Sequence, residues 1–196
     1  RFDGLKLKNR LFESTELKDI FPNEYYKYQP NHQDVKVIDC FVFNDEIDLL
    51  EKRLKLLNNV VDKFVLVESK FTHAGDPKPL YFKENIENFK SYEDKIVHIV
   101  IDKFPDSIAY KPTESDVNKI YQIHWFRENY QRNEILRGLY QIDLSPNDFI
   151  LISDLDEIPD PNKLEQFFSK IPKGEYRFQS QKWMCWDLNR KYNDTW

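Results

Sequence analysis

Four acidic residues crowd into seven positions late in the chain: Asp154, Asp156, Glu157 and Asp160, within FILISDLDEIPDP at residues 149–161. Carboxylates are hard oxygen ligands that suit Mg2+ or Mn2+, ions that keep further positions for water and substrate phosphates. The apolar run Phe149–Ile152 just ahead of them predicts a strand driven into the centre of a sheet. Ligands of open α/β sheets bind at the carboxyl ends of strands, and alternate residues of an extended stretch point the same way. Asp154 and Asp156 are therefore expected to converge on one metal ion there, which would neutralise a departing diphosphate. An acidic turn uses the same residue types, since aspartates cap helices and fill loops. A strand running into Asp-x-Asp, then Glu-Ile-Pro and a helix, is much rarer than the triplet and favours the metal site.

The elements that must position this cluster follow from periodicity. VKVIDCFVF at 35–43, KFVLVE at 63–68, KIVHIVI at 95–101 and DFILIS at 148–153 predict buried strands. Between them, residues 45–57 carry Ile47, Leu50, Leu54 and Leu57 at helical spacing, with Asp45 as N-cap. Residues 116–140 predict one long helix through Ile120, Ile123, Phe126, Tyr130, Ile135 and Leu139. A short helix is expected over Pro161–Phe168 and a strand over 176–183. Strands alternating with helices, and apolar enough to be covered on both faces, predict an α/β fold with a mostly parallel sheet. Residues 70–94, with Gly75, Pro77 and Pro79, read as one long irregular loop, and 1–34 as a lead-in or stem-like arm ahead of a domain at 35–196.

Bulk composition narrows the class. The chain has 196 residues, 40% hydrophobic and 15% aromatic, enough for one folded α/β domain. A net charge of −5 from 29 basic and 34 acidic residues, spread evenly, argues against a nucleic-acid partner. Phosphate ligands remain compatible, because a metal can supply the positive charge. Cys40 and Cys185 read as free thiols, and His32, His73, His98 and His124 lack zinc spacing. No apolar run is long enough for a membrane span. Starting without Met and ending on an aromatic tail, the chain reads as a piece of a longer protein.

Beyond these residue-level readings, DFILISDLDEIPDP resembles the strand and Asp-x-Asp segment of glycosyltransferase family 17. Five further blocks are similar in order and spacing: IDCFVFNDEIDLLEKRL (38–54), VDKFVLVESKFTHAGDPKPLYF (61–82), DKIVHIVID (94–102), WFRENYQRNEILRGL (125–139) and MCWDLNRKYNDTW (184–196). Asp76 sits within the family's Gly-x-Pro-Lys-Pro-Leu loop. The resemblance implies a GT-A, Rossmann-like fold, incomplete here at its C-terminus. It also implies a UDP-sugar donor, most simply UDP-GlcNAc, a Mn2+ or Mg2+ ion, a glycan or glycoprotein acceptor, and inversion at the anomeric carbon.

That resemblance assigns roles residue by residue. Asp156 contacts the metal directly, while Asp154 binds it through water or touches the ribose; Glu157 supports them or begins the next turn. At the first strand-to-helix turn Phe43 stacks near uracil, and Asp45 or Glu46 accepts from base or ribose, Asp45 being equally a cap. Glu68, ending the second strand, faces the ligand crevice. His73 and Lys78 approach the diphosphate or simply occupy a surface loop. On the long helix Arg127 with Gln131 and Glu128 with Arg132 are i,i+4 pairs, and Arg132 reaches the donor phosphates. By residue chemistry, Trp183, Trp186 and Trp196 pack on sugar rings or belong to the core, and Asp187 contacts the acceptor or serves as the catalytic base. Other readings stay open: a metal-dependent phosphohydrolase, or a non-catalytic glycan-binding domain. The compartment is Golgi lumen for a eukaryotic protein, where the sequon Asn193-Asp194-Thr195 fits, or cytoplasm for a bacterial or viral one.

Overall fold

The computed structural model describes residues 35–112, 117–145, 148–168, 182–184 and 191–195. They fall in two units, one spanning 35–161 and the other including 162–196. The first unit holds β1 (Val37–Phe43), α1 (Ile47–Leu57), β2 (Lys63–Ser69), α2 (Tyr81–Glu84), a 3-10 segment (Ile86–Tyr92), β3 (Ile96–Ile101), α3 (Asp106–Ala109), α4 (Val117–Asn133), α5 (Ile135–Leu139) and β4 (Phe149–Ile152). Helix α6 (Pro161–Phe168) follows, and β5 (Lys182–Met184) pairs antiparallel with β6 (Lys191–Thr195) in the second unit. No helix among the described residues is long and apolar enough to cross a membrane.

The four strands of the first unit form a parallel sheet in the order β3-β2-β1-β4, flanked by helices, as an α/β fold requires. Each crossover between successive neighbours carries helix, which is how parallel strands must be joined. Period-2 alternation splits the sheet into two faces. One face presents Ile38 and Cys40 of β1, Val65 and Val67 of β2, and Ile99 and Ile101 of β3, packed with Phe104 and with Ile135 and Leu139 of α5. The opposite face carries Phe41, Phe64 and Leu66, all without exposed surface. Leu50, Leu54 and Leu57 of α1 are buried at the helical spacing read from the sequence.

Four local expectations need correction. Helix α1 begins at Ile47 after Glu46, and no side chain caps it; the Glu46 carboxylate instead accepts the backbone N–H groups of Asn44 and Asp45. The expected helix over 116–140 is interrupted at Glu134, so α4 and α5 are separate, and Phe126 and Tyr140 point to solvent. The stretch 70–94 is not one loop, since it contains α2 and the 3-10 segment, anchored by buried Phe82 and Phe89. Among the described residues β4 is paired on its β1 side only and so ends the sheet, with Ile150 and Ile152 half exposed.

Gly138 explains how α5 lies so close to the sheet. A Cβ at that position would stand 2.4 Å from Val65 Cγ1 and 3.2 Å from Ile99 Cγ1. Alanine would gain about 1 kcal/mol of helix propensity, but the overlap falls on a stiff β-branched side chain in a packed core. Gly138→Ala is expected to lose about 1–3 kcal/mol net in urea denaturation. On the same face, burial pushes the Cys40 thiol far above its usual range; Asp39 adds to the effect and Arg53 opposes it. Cys40 should therefore resist a disulfide-exchange reagent in the native protein and react once urea unfolds the chain.

Candidate functional site

Strand β4 ends at Ile152, paired with Cys40, and the following residues leave the sheet at the carboxyl ends of its strands. Asp154 and Asp156 do not lie on an extended stretch as expected. The chain turns instead, with Glu157 N–H donating to Asp154 O at 3.1 Å and Ile158 N–H to Asp156 O at 3.0 Å. Leu155 turns inward and is buried while both aspartates face out. The turn leaves both carboxylates exposed by a different route from strand alternation. The Glu157 carboxylate bends back to accept the Asp154 N–H at 3.1 Å, which holds the turn from within.

Beneath the turn lies a group the sequence reading missed. Asp39 and Arg53 have no exposed surface, and their side chains form a two-pronged ion pair: Nε to Oδ2 and Nη2 to Oδ1, both 2.8 Å. The rest of the guanidinium serves the turn. Nη2 donates to Ser153 Oγ at 2.7 Å, and Nη1 to the carbonyls of Asp154 at 2.8 Å and Leu155 at 2.9 Å, with Glu157 O at 3.3 Å. The Arg53 guanidinium also stands 4.8 Å from the Phe41 ring centroid. The signal was present in the sequence: one acid inside an otherwise apolar strand, and one arginine in the apolar stripe of the next helix.

Around the outer side of the turn, Arg132 pairs with both Asp154 and Glu128, the latter at 3.1 Å in the expected i,i+4 geometry. His73 lies within electrostatic reach of Glu128, His124 and Arg132. Arg127, read as the i,i+4 partner of Gln131, is wholly buried. It donates to Ile108 O at 2.8 Å, His73 O at 2.9 Å and Tyr110 O at 2.7 Å, tying two segments to α4. Gly75, at φ +88°, passes directly over it, and a Cβ there would stand 2.6 Å from Nη1.

At the end of β1, Asp45 and Glu46 are exposed, and Lys78 Nζ donates to Asn44 O at 3.0 Å over the Tyr81 ring. Burial lowers the Lys78 pKa, against the pull of Glu68, Asp45 and Glu46. Two residues expected at the ligand crevice are turned inward instead. Phe43 is 1% exposed. Glu68 has no exposed surface and spends its oxygens on Phe82 N–H at 2.9 Å and His98 Nε2 at 3.0 Å. Physically, each lies on the strand face that α1 or α2 covers. Asp187, Trp186 and Trp196 lie outside the described residues.

Two outward carboxylates suit a small divalent cation, which takes one or two of them beside phosphate oxygens and water. No cluster of three or more His, Cys, Asp or Glu groups fit to hold a metal occurs among the described residues.

The Glycosyltransferase family 17 model matches residues 12–173. The chain is also similar to the β-1,4-mannosyl-glycoprotein 4-β-N-acetylglucosaminyltransferases of Rattus norvegicus, Homo sapiens and Mus musculus. Each is 34% identical over 128 residues, 63% of this chain and 22% of theirs, so the chain spans about a fifth of the length of these relatives. No solved structure matches it. Replacing Gly75 by Ala should destabilise the protein by about 1–2 kcal/mol from its left-handed backbone alone. It should also speed proteolysis in the 72–78 loop, because the Arg127 guanidinium would have to move.

Proposed function

The chain belongs to glycosyltransferase family 17, and from that premise we propose that residues 35–196 form the nucleotide-sugar-binding part of an inverting transferase. Its donor is UDP-GlcNAc and its acceptor a hydroxyl of a glycan or glycoprotein. The single observation that carries the reading is the turn after β4, which turns Asp154 and Asp156 outward at the carboxyl end of a parallel strand. The names of the curated relatives supply the sugar.

In this reading the acceptor hydroxyl attacks C1 of the sugar as the bond from C1 to the diphosphate oxygen breaks. The hydroxyl proton passes to a carboxylate base, a role given to Asp187. Asp156 and Asp154 hold a Mn2+ or Mg2+ ion, which supplies positive charge to the diphosphate. Arg132, beside Asp154, binds phosphate oxygens through its planar fork. Asp45 and Glu46, exposed where β1 ends, accept from the base or ribose. Phe43 and Glu68 stand behind these groups and support them by packing.

Calorimetry of UDP and UDP-GlcNAc on the full-length protein, with Mn2+ and then with EDTA, tests this. Binding is expected only with the metal, and Asp156→Ala should weaken it at least about tenfold. Equal affinity in that variant would sink the assignment. Sugar binding without metal or UDP affinity would point to a glycan-binding domain instead.

A further inference from the structure

The Asp39–Arg53 pair lies wholly inside the protein, yet most of its remaining donor capacity is spent on a single turn. A guanidinium has five N–H donors. Two meet Asp39, one meets Ser153 Oγ, and the last two reach the backbone carbonyls of Asp154 and Leu155, close to that of Glu157. We infer that Arg53, held by Asp39, is the positioning residue that sets the outward carboxylates of Asp154 and Asp156 for a divalent cation. This rests on the metal-binding reading of those two residues.

Three features carry it. First, each carbonyl that Arg53 holds faces the protein interior, so the turn offers a ligand its carboxylates and not its backbone. Second, Asp39 and Arg53 are both without exposed surface, and their mutual geometry is bidentate, so the guanidinium plane is fixed. Third, the partners lie 100 or more positions apart in sequence, joining α1 and β1 to the segment after β4. A shorter ammonium cannot reproduce that arrangement, since it presents three donors from one point where the fork presents five from a plane.

The test uses the full-length protein and follows Mn2+ by electron paramagnetic resonance in the presence of UDP, beside a thermal melt followed by circular dichroism. Arg53→Lys keeps the charge opposite Asp39 and loses the fork. In the folded variant, Mn2+ affinity should fall about 10–100-fold, as for other residues that orient metal ligands, with an altered spectrum for the bound ion. Ser153→Ala removes one rim hydroxyl and leaves the buried pair intact, so it decides the matter if Arg53→Lys does not fold. Its Mn2+ affinity should also fall, by a smaller factor, at near wild-type melting temperature. Unchanged affinity and spectrum in the folded variants would overturn the inference while leaving the metal site standing. Wild-type protein that binds no Mn2+ with UDP would remove the metal-binding reading itself, and the inference with it.

Discussion

A carboxylate buried in the middle of a strand cannot stand alone, and much of this fold answers that constraint. Asp39 occupies an interior position of β1 with no access to water, where an unpaired charge costs several kcal/mol. Arg53 reaches it from α1, so the first helix must lie over the first strand in one register. Having been brought inside, the guanidinium must also be satisfied on its far side. The backbone of the turn after β4 supplies those acceptors. Buried ion pairs are poor evidence of net stability, but breaking one partner typically costs about 3–5 kcal/mol. The more direct result is positional: in this conformation of the turn, three of its carbonyls and Ser153 Oγ meet Arg53.

The same logic recurs in weaker form along the sheet. Glu68, near the end of β2, has no exposure; one of its oxygens meets His98 Nε2 on β3 and the other accepts the N–H of Phe82 in α2. Arg127 on α4 meets three carbonyls rather than an acid. Glu68 and Arg127 thus each join separate segments, as buried polar groups can when they are satisfied.

Strands β1, β2 and β3 were legible because their runs are apolar and β-branched, a pattern that needs little tertiary information. Helix α1 was equally plain from Leu50, Leu54 and Leu57. What escaped was tertiary. The break at Glu134 is not marked by proline, and Gly138 matters only because Val65 lies beneath it. Phe43 and Glu68 have residue types that suit a nucleotide site, but strand alternation hands them to the covered face. Asp39 and Arg53 were readable as anomalies in apolar patterns, although only coordinates reveal that they meet each other and the turn. Asp154 and Asp156 were singled out by residue type and place, but the turn that holds them was not legible as a turn.

The register of β4 has a consequence for how the chain acquires its site. Strands β1, β2 and β3 are close in sequence, with partners such as Cys40 and Val65 some 25 positions apart, whereas Cys40 and Ile152 are 112 apart. Closing the larger loop costs more chain entropy, and non-local pairings of this kind slow folding. During synthesis from the N-terminus, β1 and α1 are made long before the carbonyls that complete Arg53. Until β4 is made, Arg53 lacks these acceptors and β1 lacks its β4 neighbour. The acidic turn can therefore form only after β1, β2 and β3 have been made, and its assembly covers the β4-facing edge of β1.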